Sequence, residues 1–217
     1  MHIEVGIIDP IRLALANAAA LAIVASQVPA IVRNPLNIPK AALAAVGFSA
    51  MMQIWHLPVG PSELHLIGAT TIYMLFGFAP AMLGFAFGLV LQAFLFEPGD
   101  IPHLGVNALS LMLPMIAVHY SFGRRLFDAG LKDRFSLGKV LRIDAVYYAG
   151  VSAMVGFWLM ISNDSFAVTD WATWVAAYFP VFVVEAFITF AAVTLIRNMR
   201  SNGIVANMTE VNRLTFA

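Results

Sequence analysis

The sequence predicts an all-α membrane protein: one integral-membrane domain of about seven transmembrane helices, with the N-terminus outside and the C-terminus in the cytoplasm. Three observations predict it. Of 217 residues, 61% are hydrophobic and only 11% are charged, whereas a soluble domain carries about 25% charged residues. Seven stretches approach the ~20 mostly apolar residues that a membrane helix needs. Lys and Arg crowd into the connections on one side.

Residues 1–10 precede the bundle, 11–196 form it, and 197–217 make a cytoplasmic tail. The first span covers Ile11 to Val32 and stops at Arg33-Asn34-Pro35, because proline disfavours helix in the residue before it. The second covers Pro39 to Trp55. The third, His65 to Phe78, is short, and Gly77-Phe78-Ala79-Pro80 reads as a turn into the fourth, Ala81 to Phe96. The fifth covers Leu104 to Phe122, the sixth Val140 to Ile161, and the seventh Trp171 to Ile196.

Basic residues accumulate in short cytoplasmic loops. With an outside N-terminus the inner segments hold Arg33, Lys40, Arg124, Arg125, Lys132, Arg134, Lys139, Arg142, Arg197, Arg200 and Arg213, which leaves only Arg12 of the 12 basic residues outside. The reverse orientation inverts that ratio. Glu4, Asp9, Glu63, Glu97, Asp100, Asp164 and Asp170 collect on the outer side, together with His2, His56, His65 and His103. His119 lies near the inner end of the fifth span.

The composition also excludes function classes. Zero net charge argues against nucleic acid as a partner, and the absence of cysteine excludes disulfides and thiolate metal sites. The N-terminus lacks a basic n-region and a small-residue cleavage site, so Met1 is expected to be the mature terminus. Gly138-Lys139 lacks the upstream glycine of a phosphate-binding loop, and no zinc-protease or nucleophile-elbow motif occurs.

Chemistry concentrates at the outer mouth. A free amine on Met1, the His2 backbone nitrogen and the His2 imidazole can close two fused rings around one divalent metal. A second imidazole would complete a planar nitrogen set, which suits Ni(II) or Cu(II), and Co(II) less strongly. His65 is the best candidate, because it follows the turn-rich loop Leu57-Pro58-Val59-Gly60-Pro61-Ser62-Glu63. Taken singly, His2 also reads as a frayed terminal residue and His65 as an interfacial one. His56 beside Trp55 reads as an interfacial anchor, and His103 as a solvated loop residue or one that hands metal on. Glu63, Glu97 and Asp100 concentrate cations by their field or simply solubilise the loops. Asn107 and Gln92 need partners within the bundle, either as helix–helix hydrogen bonds or as groups that orient a ligand histidine. Glu185 reads as the only carboxylate deep in a predicted span, a functional candidate, and as distant in depth from the outer histidines. Ala14, Ala18, Ala22 and Ser26 recur at a four-residue spacing, as do Ala41, Ala45 and Ser49, and Gly84 and Gly88. Such ridges pack within the bundle or dock on a partner.

With those residues in view, the chain resembles the CbiM/NikM family, the substrate-binding membrane subunits of energy-coupling-factor cobalt and nickel importers. The likeness rests on Met1-His2-Ile3 with Gly6, on Val59 to Gly68 with its His65-Leu66-Ile67-Gly68 end, and on Leu91-Gln92-Ala93-Phe94-Leu95-Phe96 leading to Leu104-Gly105-Val106-Asn107. It is clear over about residues 1–120 and general beyond. The resemblance implies Ni(II) or Co(II) as transported substrate, held by the Met1 amine, the His2 amide nitrogen and ring, and the ring of His65. It implies a transmembrane coupling subunit and ATPase subunits as partners, a small auxiliary membrane subunit in some members, no nucleotide on this chain, and a prokaryotic inner-membrane location. Ala14, Ala18, Ala22, Arg124 and Arg125 are then the expected docking residues. The sequence departs from the family pattern in having Glu4 before Val5, and Glu63-Leu64 before His65. Two rivals stand beside this reading: an intramembrane metalloenzyme in which histidines and Glu185 or Asp100 serve an activated water, and a stand-alone ion-coupled permease, a class that often shows inverted repeats.

Overall fold

The structure is a computed structural model that describes residues 3, 6–59, 62–128, 134–163 and 167–216. Met1 and His2, on which the chelate expectation rests, lie outside the described residues. So do Glu4, Lys132 and Asp164.

The chain runs α1 (Pro10–Ala25), α2 (Val28–Arg33), α3 (Asn37–Ile54), a hairpin of β1 (His56–Val59) and β2 (Ser62–His65), α4 (Ala69–Phe76), α5 (Phe78–Leu95), α6 (Leu104–Ser121), α7 (Leu137–Met160), α8 (Val168–Asn198) and α9 (Gly203–Met208). Short 3-10 turns occupy Pro98–His103, Gly123–Phe127 and Val211–Arg213. Asp9 starts α1 by accepting from Ile11 and Arg12 N–H at 3.0 and 3.1 Å, with Pro10 at the first helical position, where no N–H is needed.

The structure corrects the sequence reading in four places. First, the Ile11–Val32 span stands as one stretch, Pro10–Arg33, but its helix is interrupted at Ser26-Gln27. Pro29 has no N–H to continue the ladder, and Ser26 Oγ turns back onto the Ile23 carbonyl at 2.6 Å. Second, the fold is not purely α. The turn-rich stretch before His65 is part of an antiparallel hairpin that pairs His56 with His65 and Val59 with Ser62. Third, the third span holds a helix of only eight residues, which rises about 12 Å against a hydrocarbon core of about 30 Å. The rest of that slot is taken by His65 at the end of β2 and the non-helical residues 66–68, with Gly68 in the left-handed region at φ +64°. Fourth, the turn that follows takes a single residue. Gly77 at φ +82° reverses the chain, and α5 begins at Phe78 with Pro80 in its first turn. Among the described residues five helical stretches are long and apolar enough to cross a membrane: Pro10–Arg33, Phe78–Leu95, Pro98–Ser121, Leu137–Met160 and Val168–Asn198. The helix α3 is 18 residues long but opens with Asn37 and Lys40, and the ammonium of Lys40 is buried against Glu210 at 2.6 Å.

The small-residue ridges divide between the two roles offered for them. Ala41, Ala45 and Ser49 of α3 are buried, and the α5 glycines pack against the neighbouring Ala44, Ala45 and Phe48. A Cβ on Gly84 would lie 2.5 Å from that of Ala44, and one on Gly88 would lie 2.4 Å from Phe48. The α1 ridge behaves oppositely. Ala14, Ala18 and Ala22 are exposed, and Ala16 and Ala20 turn inward instead. Packing inside the bundle is therefore not what the α1 ridge does. Gly84→Leu is expected to force α3 and α5 apart and destabilise the chain by ~1–3 kcal/mol, as overpacking does. A lowered unfolding temperature in detergent checks this, and an unchanged one would show that the helices can separate freely.

The bundle has two distinct ends. At one, Ile3 bridges to Ser62, Asn163 N–H donates to the Ile7 carbonyl at 2.8 Å, and Asn17 Nδ2 donates to the Pro102 carbonyl at 3.1 Å. At the other, Glu210 N–H donates to the Leu75 carbonyl at 2.6 Å, Arg142 lies over Phe122, and Arg197 lies over Phe216 at 3.7 Å. The tail thus closes beneath α4.

Candidate metal site

The histidine hairpin occupies the first of these ends. His65 is 1% exposed. Its Nε2 lies 3.1 Å from Glu63 Oε2, and its Nδ1 lies 3.4 Å from the Met52 carbonyl of α3. A neutral imidazole has one N–H. With its N–H on Nε2 the ring donates to Glu63; a metal on Nε2 would displace that contact and put the N–H on Nδ1, facing the Met52 carbonyl, the arrangement in which a backbone carbonyl orients a metal-binding histidine. His56 stands opposite in the register, its ring 5.9 Å from that of His65.

Ile3 reaches the same place. It is fully buried, bridges antiparallel to Ser62, and donates its N–H to Asn107 Oδ1 at 3.4 Å. Asn107, picked out in the sequence as an in-span amide, therefore holds the residue bonded to His2. Gln92 accepts from Ser49 Oγ at 2.8 Å and ties α5 to α3. His103 departs from its reading as a solvated loop residue, since it is buried at 1% exposure and neither ring nitrogen has a hydrogen-bond partner. The 3-10 turn it ends is tucked against α1 by Asn17. His119 lies at the far end, where Tyr73 Oη meets its Nδ1 at 2.9 Å and Phe78 stacks on its ring at 4.0 Å.

Glu185 also differs from expectation. It is 1% exposed, and its carboxylate accepts the N–H of Ile67, with Gly68 N–H also directed at it. Tyr178, seven positions earlier on α8, donates its hydroxyl to the His65 carbonyl at 3.1 Å. Helix α8 therefore grips the backbone on the C-terminal side of His65 at two points. The distance expected from chain depth disappears because α4 starts halfway through the slot, which lowers residues 65–68 to the level of Glu185. A further in-span carboxylate, Asp144 of α7, is buried at 0% exposure, so Glu185 does not stand alone as read. The i, i+7 placement of Tyr178 and Glu185 on one α8 face was the available sequence signal for the grip. Nothing in the sequence pointed to Met52.

At the opposite end, Arg124 and Arg125 are exposed and line a cleft of about 1100 Å³ with Phe127, Asp128, Asn212, Arg213 and Thr215.

The chain is a helical bundle with several membrane-spanning stretches and a buried imidazole close to where Ile3 bridges the hairpin, and comparison with known proteins places it among metal-uptake membrane proteins. The profile described as "Cobalt uptake substrate-specific transmembrane region", the CbiM family, matches residues 2–202, and the chain belongs to that family. A Haemophilus influenzae protein that carries the name of a metal transport protein is 31% identical over 215 residues, 97% of this chain and 98% of its own. Among solved structures, the crystal structure of a transition metal transporter superposes with a TM-score of 0.74 at 21% identity, covering 94% of this chain and 96% of that one. A truncated form gives 0.73 at 22% identity, covering 92% and 99%. The family and these relatives are transport proteins rather than enzymes, which sets the metalloenzyme rival aside.

Proposed function

We propose that this chain is the metal-capture subunit of an energy-coupling-factor importer, and that Co(II) or Ni(II) is its substrate. The ion is held by the Met1 amine, the His2 amide nitrogen and ring, and His65. The observation that carries this reading is the seating of Ile3 on Ser62 and Asn107. The anchored residue is one peptide bond from His2, and its strand partner is three residues from His65. A deprotonated amide, an amine and two imidazoles give the all-nitrogen set that late first-row divalent ions prefer. The N-terminus faces outward, and the basic end faces the cytoplasm of a prokaryotic cell, in keeping with the charge rule.

With no nucleotide motif in this chain, energy comes from separate ATPases through a transmembrane coupling subunit, with a small auxiliary membrane subunit in some assemblies. The exposed Ala14-Ala18-Ala22 ridge suits close packing against a partner helix within lipid, and the Arg124–Arg125 cleft suits a cytoplasmic contact. Equilibrium dialysis of the purified chain with Co(II) or Ni(II) is expected to give one ion per chain, and uptake in cells is expected to require co-expressed ATPases. No bound ion would sink the capture reading, while gradient-driven uptake by the chain alone would favour a permease.

Glu185→Ala removes the acceptor that positions residues 67 and 68, and is expected to weaken metal binding ~10–100-fold, the usual cost of losing support behind a ligand. Glu185→Gln keeps one acceptor oxygen and falls between. Calorimetric titration of the purified variants checks the order, and equal affinities would show that α8 does not hold His65 in place.

A further inference from the structure

The lower half of the α4 slot carries a second polar cluster that the outer site does not use. Asp144 of α7 is fully buried, and neither of its carboxylate oxygens completes a hydrogen bond. Thr70, in the first turn of α4, directs its buried hydroxyl at that carboxylate but stops short of a completed hydrogen bond. The hydroxyl of Tyr147 on α7 is without a partner, while that of Tyr148 is directed at Glu185. Glu185 lies within electrostatic reach of Asp144 and of both tyrosines. No Lys or Arg among the described residues pairs with either carboxylate; the buried ammonium of Lys40 is committed to Glu210.

The two acids are not equivalent. Glu185 faces the N-terminal end of α4, where the N–H groups of Ile67 and Gly68 meet its charge and the helix dipole adds to them. Asp144 has no such compensation. An uncompensated carboxylate in a membrane interior is costly, and such groups pair or mark ion and proton sites. The oxygens left over suit one positive charge, and the donor set has no nitrogen or sulfur. Oxygen-only sets favour hard cations over the late transition metals that imidazoles prefer.

We propose that Asp144, with Thr70 and Tyr147, binds one small monovalent cation, a sodium ion or a proton, in the interface of α4, α7 and α8. This site is separate from the outer metal site and does not depend on the metal-capture reading. The ionisable groups that face Asp144 are Glu185 from α8 and Tyr147 and Tyr148 from its own helix; α4 contributes the Thr70 hydroxyl.

The test uses the full chain in nanodiscs of zwitterionic lipid, free of transition metal. Radioactive sodium binding is measured by scintillation proximity, and the carboxyl C=O stretch by infrared difference spectroscopy. One sodium per chain, lost in Asp144→Asn and kept in His65→Ala, supports the site with sodium as occupant. No sodium, with a neutral-carboxyl band that vanishes in Asp144→Asn, supports it with a proton as occupant. Neither sodium binding nor an Asp144 carboxyl band overturns it. If Asp144→Asn does not fold, Thr70→Val keeps the carboxylate and is expected to weaken sodium binding several-fold or shift the band; an unchanged signal overturns the site. His65→Ala bears only on the outer site, so failure of one reading is distinguishable from failure of the other.

Discussion

Replacing His65 with alanine is expected to leave a folded chain that no longer retains Co(II) or Ni(II). The proposed site has four nitrogens, and His65 supplies the one that the terminal residues cannot. Loss of support behind a ligand costs about 10–100-fold in affinity, so loss of the ligand itself should cost on the order of 100-fold or more, at least ~2.8 kcal/mol at 1.4 kcal/mol per tenfold. The fold should survive. The imidazole lies 3.4 Å from the Met52 carbonyl and 3.1 Å from Glu63, and its one N–H serves one of them at a time for a net ~0.5–1.5 kcal/mol, while Tyr178 and Glu185 hold the same segment through its backbone. Metal analysis after gel filtration, run beside an apo unfolding curve, separates the two effects. His2→Ala should match it in metal loss. A His65→Ala chain that keeps one ion at wild-type affinity would remove the proposed site.

Adding one residue before Met1 is expected to reduce uptake to background. The amine would move along the chain by one Cα step, about 3.8 Å, and no longer close a ring with the His2 amide. Uptake is the measurement to use, because a longer tail gains an extra amide nitrogen that can stand in for His65. Metal held on such a tail would be indifferent to His65→Ala, whereas the native chain would not be. The anchor at Ile3 makes the register strict: its N–H is committed to Asn107 and its strand position to Ser62, so an added residue is not absorbed by slippage. Uptake at the normal rate would show that the terminus need not be in register.

Much of this was legible in the chain, for reasons that differ between parts. Membrane character follows from composition, because there is not enough polar surface to clothe a soluble core. Asn107 and His65 were picked out individually because polar groups among apolar neighbours are conspicuous. Their partners were not, since a hydrogen bond from Ile3 to Asn107 spans 104 positions and leaves no local pattern. The α1 ridge shows the limit of periodicity. Spacing finds a face but not what covers it, and Ala14, Ala18 and Ala22 turned outward while a ridge of the same kind on α3 turned in.

By itself, the sequence determined the class of protein, the crowding of histidines at one end, the opposing basic end, and the family. Those properties are additive in residue type or local in spacing. Only the tertiary structure decided that the third span is the end of a hairpin and an eight-residue helix, that Glu185 and Tyr178 clasp the residues after His65, and that Asp144 is shut away without a completed hydrogen bond. Each of these depends on where α4 begins relative to α7 and α8. That depth is set by Ile67 and Gly68 meeting a carboxylate more than a hundred residues away, a contact that exists only once the helices are packed.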